Sequence, residues 1–184
     1  MFHRSERLLL RPGWLEDAGE LTARIADEAI VRNLASVPWP YRRKDAENWL
    51  GQPKSARFPT FLLTLPGAGG SPIIGTCGLN AEPHGPEIGY WIAREWWGQG
   101  FATEAARAVL SVARTLGHRR IHSCHAADNP ASGRVLRKAG FVPTGRLRTI
   151  HSLGRGGDVT VVDYATELDG CVGGDDPAMM PQAA

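Results

Sequence analysis

Between Trp96 and Glu104 the chain reads Trp-Trp-Gly-Gln-Gly-Phe-Ala-Thr-Glu. Two glycines one residue apart permit a tight turn and let a ligand come close to the backbone. The segment follows an aromatic and β-branched run, Glu87–Ala93, and opens a stretch of helical period. The first N–H groups of a helix have no partners inside it, and the helix dipole favours an anion there. The backbone amides of Gln99 to Thr103, with the Thr103 hydroxyl as a further donor, are therefore placed to cradle a pyrophosphate. Glycine-x-glycine alone describes an ordinary strand-to-helix turn equally well. No Gly-Lys-Ser/Thr follows, so this is not a Walker loop, and the third glycine of the dinucleotide fingerprint is missing.

A second cluster of chemically capable residues is His122, Cys124 and His125. On a strand, His122 and Cys124 share a face and His125 points away. No second ligand pair follows at zinc spacing, so we expect no metal site. Cysteines stand at 77, 124 and 171, an odd and sparse set that is no disulfide framework.

The surrounding elements must hold the glycine turn in place. Leu8–Leu10 before Pro12 reads as a strand. Leu15, Leu21 and Ile25 give a helical stripe, and Asp45–Leu50 a second short helix ended by Gly51 and Pro53. Thr60–Leu65, Ile73–Leu79 and Glu87–Ala93 are three strands separated by turn-forming residues, an antiparallel meander. Ala105, Val109, Val112 and Leu116 then mark one buried helix face, stopped by Gly117. Ile121–Ala126 is a strand. Asn129 and Pro130 read as helix cap and first helical residue, with Val135, Leu136 and Ala139 as the apolar face and Gly140 as the stop. Val142–Arg148 and Val159–Leu168 are the last strands. The strand–helix–strand unit implies a parallel pair inside a mostly antiparallel sheet, an α+β fold with helices flanking mixed strands. Residues 1–169 are expected to form one domain. The Gly/Asp/Pro-rich stretch 170–184 lacks periodicity and is expected to be disordered.

EIGYWIAREWWGQGFATEA, followed by NPASGRVLRKAGF and preceded by ERLLLRPGWLEDAGEL, resembles the GNAT superfamily of acetyltransferases. Within it the chain is most similar to the branch of ribosomal-protein N-terminal acetyltransferases, from about Glu6 to Leu168. In the superfamily's phosphate motif an Arg or Gln begins the turn; here Gly100 and Ala102 match and Trp97 stands in that first place, as is usual in this branch.

The resemblance implies acetyl-coenzyme A as co-substrate and direct transfer of its acetyl group to a primary amine, with no acyl-enzyme. It implies that the strand carrying Glu87–Ala93 splays from the strand carrying Ile121–Ala126, and that the pantetheine arm lies between them against the backbone of Trp91, Ile92 and Ala93. Trp97, Gly98, Gln99, Gly100, Phe101, Ala102 and Thr103 would then hold the diphosphate. Asn129 matches a position contacting the pantetheine amides, and Ser132 one near the sulfur, where its hydroxyl would assist the departing thiolate. Tyr164 is a rival for that task, and a helix-start serine bonding to backbone is the alternative reading of Ser132. Arg134 and Lys138 would meet cofactor phosphates or simply be solvated. A protonated amine is no nucleophile, so a proton acceptor is needed, and Glu87 is the candidate. Glu87 equally suits binding of the substrate ammonium or capping of its turn. Trp39, Tyr41, Trp49 and Trp91 are candidates for an acceptor pocket or for core. His84, at the cleft mouth, is read as incidental.

The net charge of +2 gives no electrostatic footprint for nucleic acid. No stretch approaches the ~20 apolar residues of a membrane span, and no secretory signal pattern opens the chain. The expectation is a cytoplasmic enzyme, and a homodimer by analogy with relatives. The branch favours a protein N-terminal amine as acceptor; a small amine (amino acid, polyamine or antibiotic) is the alternative. A non-catalytic acyl-coenzyme A binding module would keep the glycine turn but lack a working base and acid. A nucleotide-binding protein using the same turn for phosphate is less consistent with the three motifs together.

Overall fold

The computed structural model describes residues 1–67 and 70–168. The expectations for residues 170–184, and Cys171 with them, lie outside the described residues. Eight strands are β1 (His3–Arg4), β2 (Leu9–Arg11), β3 (Thr60–Thr64), β4 (Ile73–Glu82), β5 (Gly85–Ile92), β6 (Arg120–Ala126), β7 (Val142–Ser152) and β8 (Gly157–Glu167). The α-helices are α1 (Ala18–Ile25), α2 (Glu28–Val31), α3 (Arg43–Gly51), α4 (Phe101–Thr115) and α5 (Pro130–Ala139).

The strands form one sheet in the order β1-β2-β3-β4-β5-β6-β8-β7. Every neighbouring pair is antiparallel except β5 with β6, which are parallel and meet at a single paired position, Glu87 with His122. Beyond it the two strands run on without further ladder pairing. The expected meander is β3-β4-β5, and the parallel pair is joined through α4.

Two apolar layers clasp the sheet. On one face Ile88 and Ile92 of β5 pack with Phe101, Ala105, Val109 and Val112 of α4 and with Leu136 of α5. On the other, Trp91 packs with Leu21 and Ile25 of α1, Ile30 and Val31 of α2, and Ala46 and Leu50 of α3. The alternation of Ile88, Ile92 against Trp91 is the period of two that assigns the faces. Fully burying a leucine such as Leu136 contributes about 1.5–3 kcal/mol relative to leaving it in water.

Local signals fix the helix ends. Gly100, at φ +85, is the N-cap of α4. Asn129 caps α5, its side chain accepting from the Ser132 N–H at 3.3 Å, with Pro130 at the start and Gly140 (φ +101) at the end. The stripe from Leu15 to Ile25 divides into a 3₁₀ turn, Leu15–Asp17, and α1. Asp17 holds this entry by accepting from the Trp14 N–H at 2.8 Å and from both terminal nitrogens of Arg11.

Several features depart from the expectations, among them β4, which runs on to Glu82, and β5, which spans Gly85–Ile92. The short β1 and the four-residue α2 carry no period to read. β7 runs to Ser152, four residues past the expected Arg148. It is an outer strand exposed over most of its length, so no hydrophobic alternation marks its end.

Candidate active site

A cavity of about 860 Å³ runs along the gap between β5 and β6, and both ends are informative. At one end it is lined by Trp97, Gly98, Gly100, Phe101, Ala102 and Thr103. The first α4 amide that closes onto a backbone carbonyl is Glu104 N–H, on Gly100 O at 3.1 Å. Among the described residues, the amides of residues 98 to 103 find no backbone acceptor. Gly98 at φ +76 and Gly100 at φ +85 adopt the left-handed conformation that aims these amides, and a Cβ there would be strained. The set of open amides at a helix start fits a diphosphate group.

Trp97 takes a bracing role. Its indole N–H donates to the Ile92 carbonyl at 2.6 Å, tying the turn to the end of β5. Two of the expected cofactor-binding residues, one from the cradle and one from the pantetheine path, lie off the cavity wall. Gln99 donates through Nε2 to Glu95 O at 3.1 Å and is absent from the lining. Ala93 is fully buried, and its N–H is spent on Ile74 O at 2.8 Å, so a cofactor arm cannot pair with it. Trp91 and Ile92 do line the cavity.

Along the gap stand Asn129, Ser132, Arg134 and Lys138 of the α5 region. The Ser132 hydroxyl lies 2.8 Å from the Tyr90 hydroxyl, which also donates to the Ser132 carbonyl at 3.3 Å. Burial pushes the Tyr90 phenol up, so it stays protonated and able to donate. Tyr164 is occupied elsewhere: its hydroxyl accepts from Arg137 Nη1 at 2.9 Å, and it is absent from the cavity wall. Ser123, also buried, donates from its hydroxyl to Ile88 O at 3.1 Å, next to the point where the strands part.

The other end opens on the α1–α3 face. Glu87, Cys124 and, behind them, Arg148 and Asp163 form a charged cluster contributed by four strands. Glu87 Oε2 meets His84 Nε2 at 2.9 Å and accepts from Arg148 Nη2 at 3.0 Å. Arg148 Nε donates to Asp163 Oδ1 at 2.7 Å. Among the described residues, Glu87 Oε1 is approached only by the Cys124 thiol at 3.7 Å, a weak contact that leaves this oxygen open. Burial works against the Arg148 charge, but the bond to Asp163 and the field of both carboxylates keep its pKa raised. Cys124 is pushed up to about 12, first by burial and then by the Glu87 charge, so it is a thiol and no nucleophile at neutral pH. His122 is shifted down by burial and by His84 and Arg120, which favours its neutral form. His84 is thus a neighbour of Glu87 rather than incidental, and its ring meets His122 edge-on at 5.1 Å. His125 turns to the opposite face, against Tyr164, as strand alternation requires. Among the described residues no group of three His, Cys, Asp or Glu could hold a metal ion.

Tyr41, Trp49, Ile150 and Val161 wall this end; Trp39 does not. The turn between β7 and β8 leans over it. Leu153 N–H donates to Ala35 O at 2.8 Å, the Ser152 hydroxyl to Leu34 O at 3.1 Å, and Arg155 Nε to Arg32 O at 2.6 Å.

Residues 7–142 match the acetyltransferase (GNAT) domain family, and the chain belongs to that family of acetyltransferases. It is 29% identical over 154 residues to an uncharacterized N-acetyltransferase, p20, of Bacillus licheniformis, covering 78% of this chain and 84% of that one. A GNAT-family acetyltransferase from Bacillus anthracis has the same fold, with a TM-score of 0.77, 23% identity, and coverage of 91% of this chain and 98% of that one. So has RimL, described as a ribosomal L7/L12 α-N-protein acetyltransferase in complex with coenzyme A, with a TM-score of 0.74, 21% identity, and coverage of 92% and 99%. No helix of the described residues is long and apolar enough to cross a membrane.

Proposed function

We propose that this protein transfers the acetyl group of acetyl-coenzyme A directly to a primary amine, with a protein N-terminal α-amine as acceptor. One observation carries the reading: a single cavity joins open backbone amides at the start of α4 to the Glu87 carboxylate on the opposite face. Acetyl-coenzyme A would supply the activated acyl group as a thioester. The amides of Gly98 to Thr103 would hold its diphosphate, and Asn129 and Ser132 would line its path toward the splay.

On the acceptor side the chain's own groups divide the work. Arg148 bridges two carboxylates, Glu87 and Asp163, and Arg146 comes within 3.9 Å of Asp163 as well, so the open oxygen of Glu87 is the group that would meet an ammonium. Glu87 Oε1, the less engaged oxygen, takes the amine proton directly or through one water. The Ser132 hydroxyl, held by Tyr90, donates a hydrogen bond where negative charge develops on the leaving sulfur.

The likeness to RimL supports a peptide N-terminus as acceptor. A second reading, a small amine, draws on the β7–β8 turn tied over the groove at residues 32–35. We also propose the cytoplasm as its location and a homodimer as its assembly, which sedimentation of the 19.9 kDa chain would test.

Calorimetric titration with acetyl-coenzyme A should give saturable binding, and ATP none. Thiol release should then follow with peptides bearing a free N-terminus and stop when that terminus is blocked. Release with small amines but no peptide would move the acceptor to the second reading. Binding without release over the whole panel would make the protein an acyl-coenzyme A binding module.

A further inference from the structure

Glu104 poses a problem for an anion site. It is the acidic residue of the first turn of α4, and a carboxylate so close to a bound diphosphate would repel it. The fold answers from the N-terminal hairpin. Glu104 Oε1 accepts from the Ser5 hydroxyl and from the Arg7 backbone N–H, both at 2.7 Å, and Oε2 accepts from Arg7 Nε at 2.7 Å. The carboxylate is tied to the N-terminal hairpin, off the cavity wall, and its charge is met by the guanidinium.

The same guanidinium reaches the turn itself. Arg7 Nη1 donates to the Gln99 carbonyl at 3.1 Å. The Gln99–Gly100 peptide is trans, so its C=O and N–H point in opposite directions. Fixing the carbonyl on Arg7 therefore turns the Gly100 N–H away from Arg7, toward the cavity that Gly100 lines. The guanidinium also lies 4.2 Å from the ring centroid of Phe101, the first helical residue and 4% exposed. Arg7 itself does not line the cavity.

We propose that Arg7 is a positioning residue for the diphosphate of coenzyme A: it holds the Gln99–Gly100 peptide with its N–H toward the ligand and cancels the Glu104 charge behind the cradle. This rests on the reading of the α4 start as a coenzyme A site. Arg7 acts through the peptide and the carboxylate and makes no contact with the ligand. The acceptor side, built on other strands, does not depend on it.

The test compares two probes on the purified protein by calorimetry: coenzyme A, and pantetheine, which lacks the diphosphate. Arg7→Gln should weaken coenzyme A about tenfold or more, the scale of losing a hydrogen-bonded charged partner, and leave pantetheine unchanged. Adding Glu104→Gln to that variant should recover part of the loss, because the stranded charge is gone. Arg7→Lys keeps a charge near Glu104 without the planar fork and should fall between; it carries the same comparison if Arg7→Gln does not fold. Unchanged coenzyme A affinity in Arg7→Gln, or equal loss of both probes with a lowered melting temperature, overturns the assignment. Wild-type protein that binds no coenzyme A overturns the cradle reading and this inference with it; wild-type binding that Arg7→Gln leaves intact removes the Arg7 role alone.

Discussion

At the α4 end of the cavity the groups that face a ligand belong to the backbone, whereas at the β5 end they are side chains drawn from four strands. The amides of residues 98 to 103 are aimed by two left-handed glycines, with side chains such as Arg7 bracing the turn from behind. Glu87, Cys124, Asp163 and Arg148 meet only because β5, β6, β8 and β7 lie side by side. A site made of peptide groups is rigid and common to any chain with that turn. A site made of side chains can change its acceptor by substitution while the cofactor end stays as it is.

The contrast can be broken most sharply at Glu87. Glu87→Gln should lower kcat by about a hundredfold, the usual scale for a general base, flatten the acidic limb of the pH–rate profile, and leave coenzyme A affinity untouched. An unaltered profile with a raised amine KM would assign Glu87 to ammonium binding instead. Next comes the opposite end. Gly100→Val puts a β-branched residue where φ is +85 and should weaken coenzyme A by about tenfold or more through backbone strain of ~1–2 kcal/mol. Pantetheine binding should change far less.

Smaller effects sharpen the boundary. Asp163→Asn frees Arg148 to pair with Glu87 alone and should raise the amine KM several-fold, about 1 kcal/mol, with no shift in coenzyme A titrations. Ser132→Ala should cost kcat a few-fold; full turnover would move the search for a thiolate donor to Tyr90, which stands 2.8 Å away. The smallest is the pH response of Glu104. Burial raises its pKa, but the bonds from Ser5 and Arg7 outweigh that and hold it below the usual glutamate range. A carboxylate lowered in the folded state adds stability that is fully present above the unfolded value and is lost as pH falls through the folded one. Melting curves of Glu104→Gln should therefore lack a slope that the wild type shows below about pH 4.5.

These two ends were unequally legible in the sequence. Gly98, Gly100, the α4 stripe of Ala105, Val109 and Val112, and the Asn129–Pro130 cap are local patterns, and each lies where its spacing indicated. Glu87 could be singled out, but its partners could not: Arg148 lies 61 residues away, and their meeting depends on β8 inserting between β6 and β7. Arg7 was invisible for the same reason, since its contact with Gln99 spans 92 residues. His84 does sit in the β4–β5 turn, and a single chain position says nothing of its 2.9 Å contact with the carboxylate three residues on. The α2 helix, one turn long, is too short for any period to reveal.

The single paired position between β5 and β6 has a consequence for how the molecule breathes. In most sheets the outermost strands exchange their amide protons fastest and the middle is protected longest. Here the middle contains a seam. One half of the sheet, β1 to β5, and the other, β6 with β8 and β7, meet in the ladder at Glu87 and His122 and are otherwise joined by α4 and by side-chain bonds such as Ser123 to Ile88, Arg148 to Glu87 and Tyr90 to Ser132. Empty protein should exchange early along the central strands beyond that position. A ligand lying in the seam would act as a missing strand, and its largest protection would fall at the heart of the sheet.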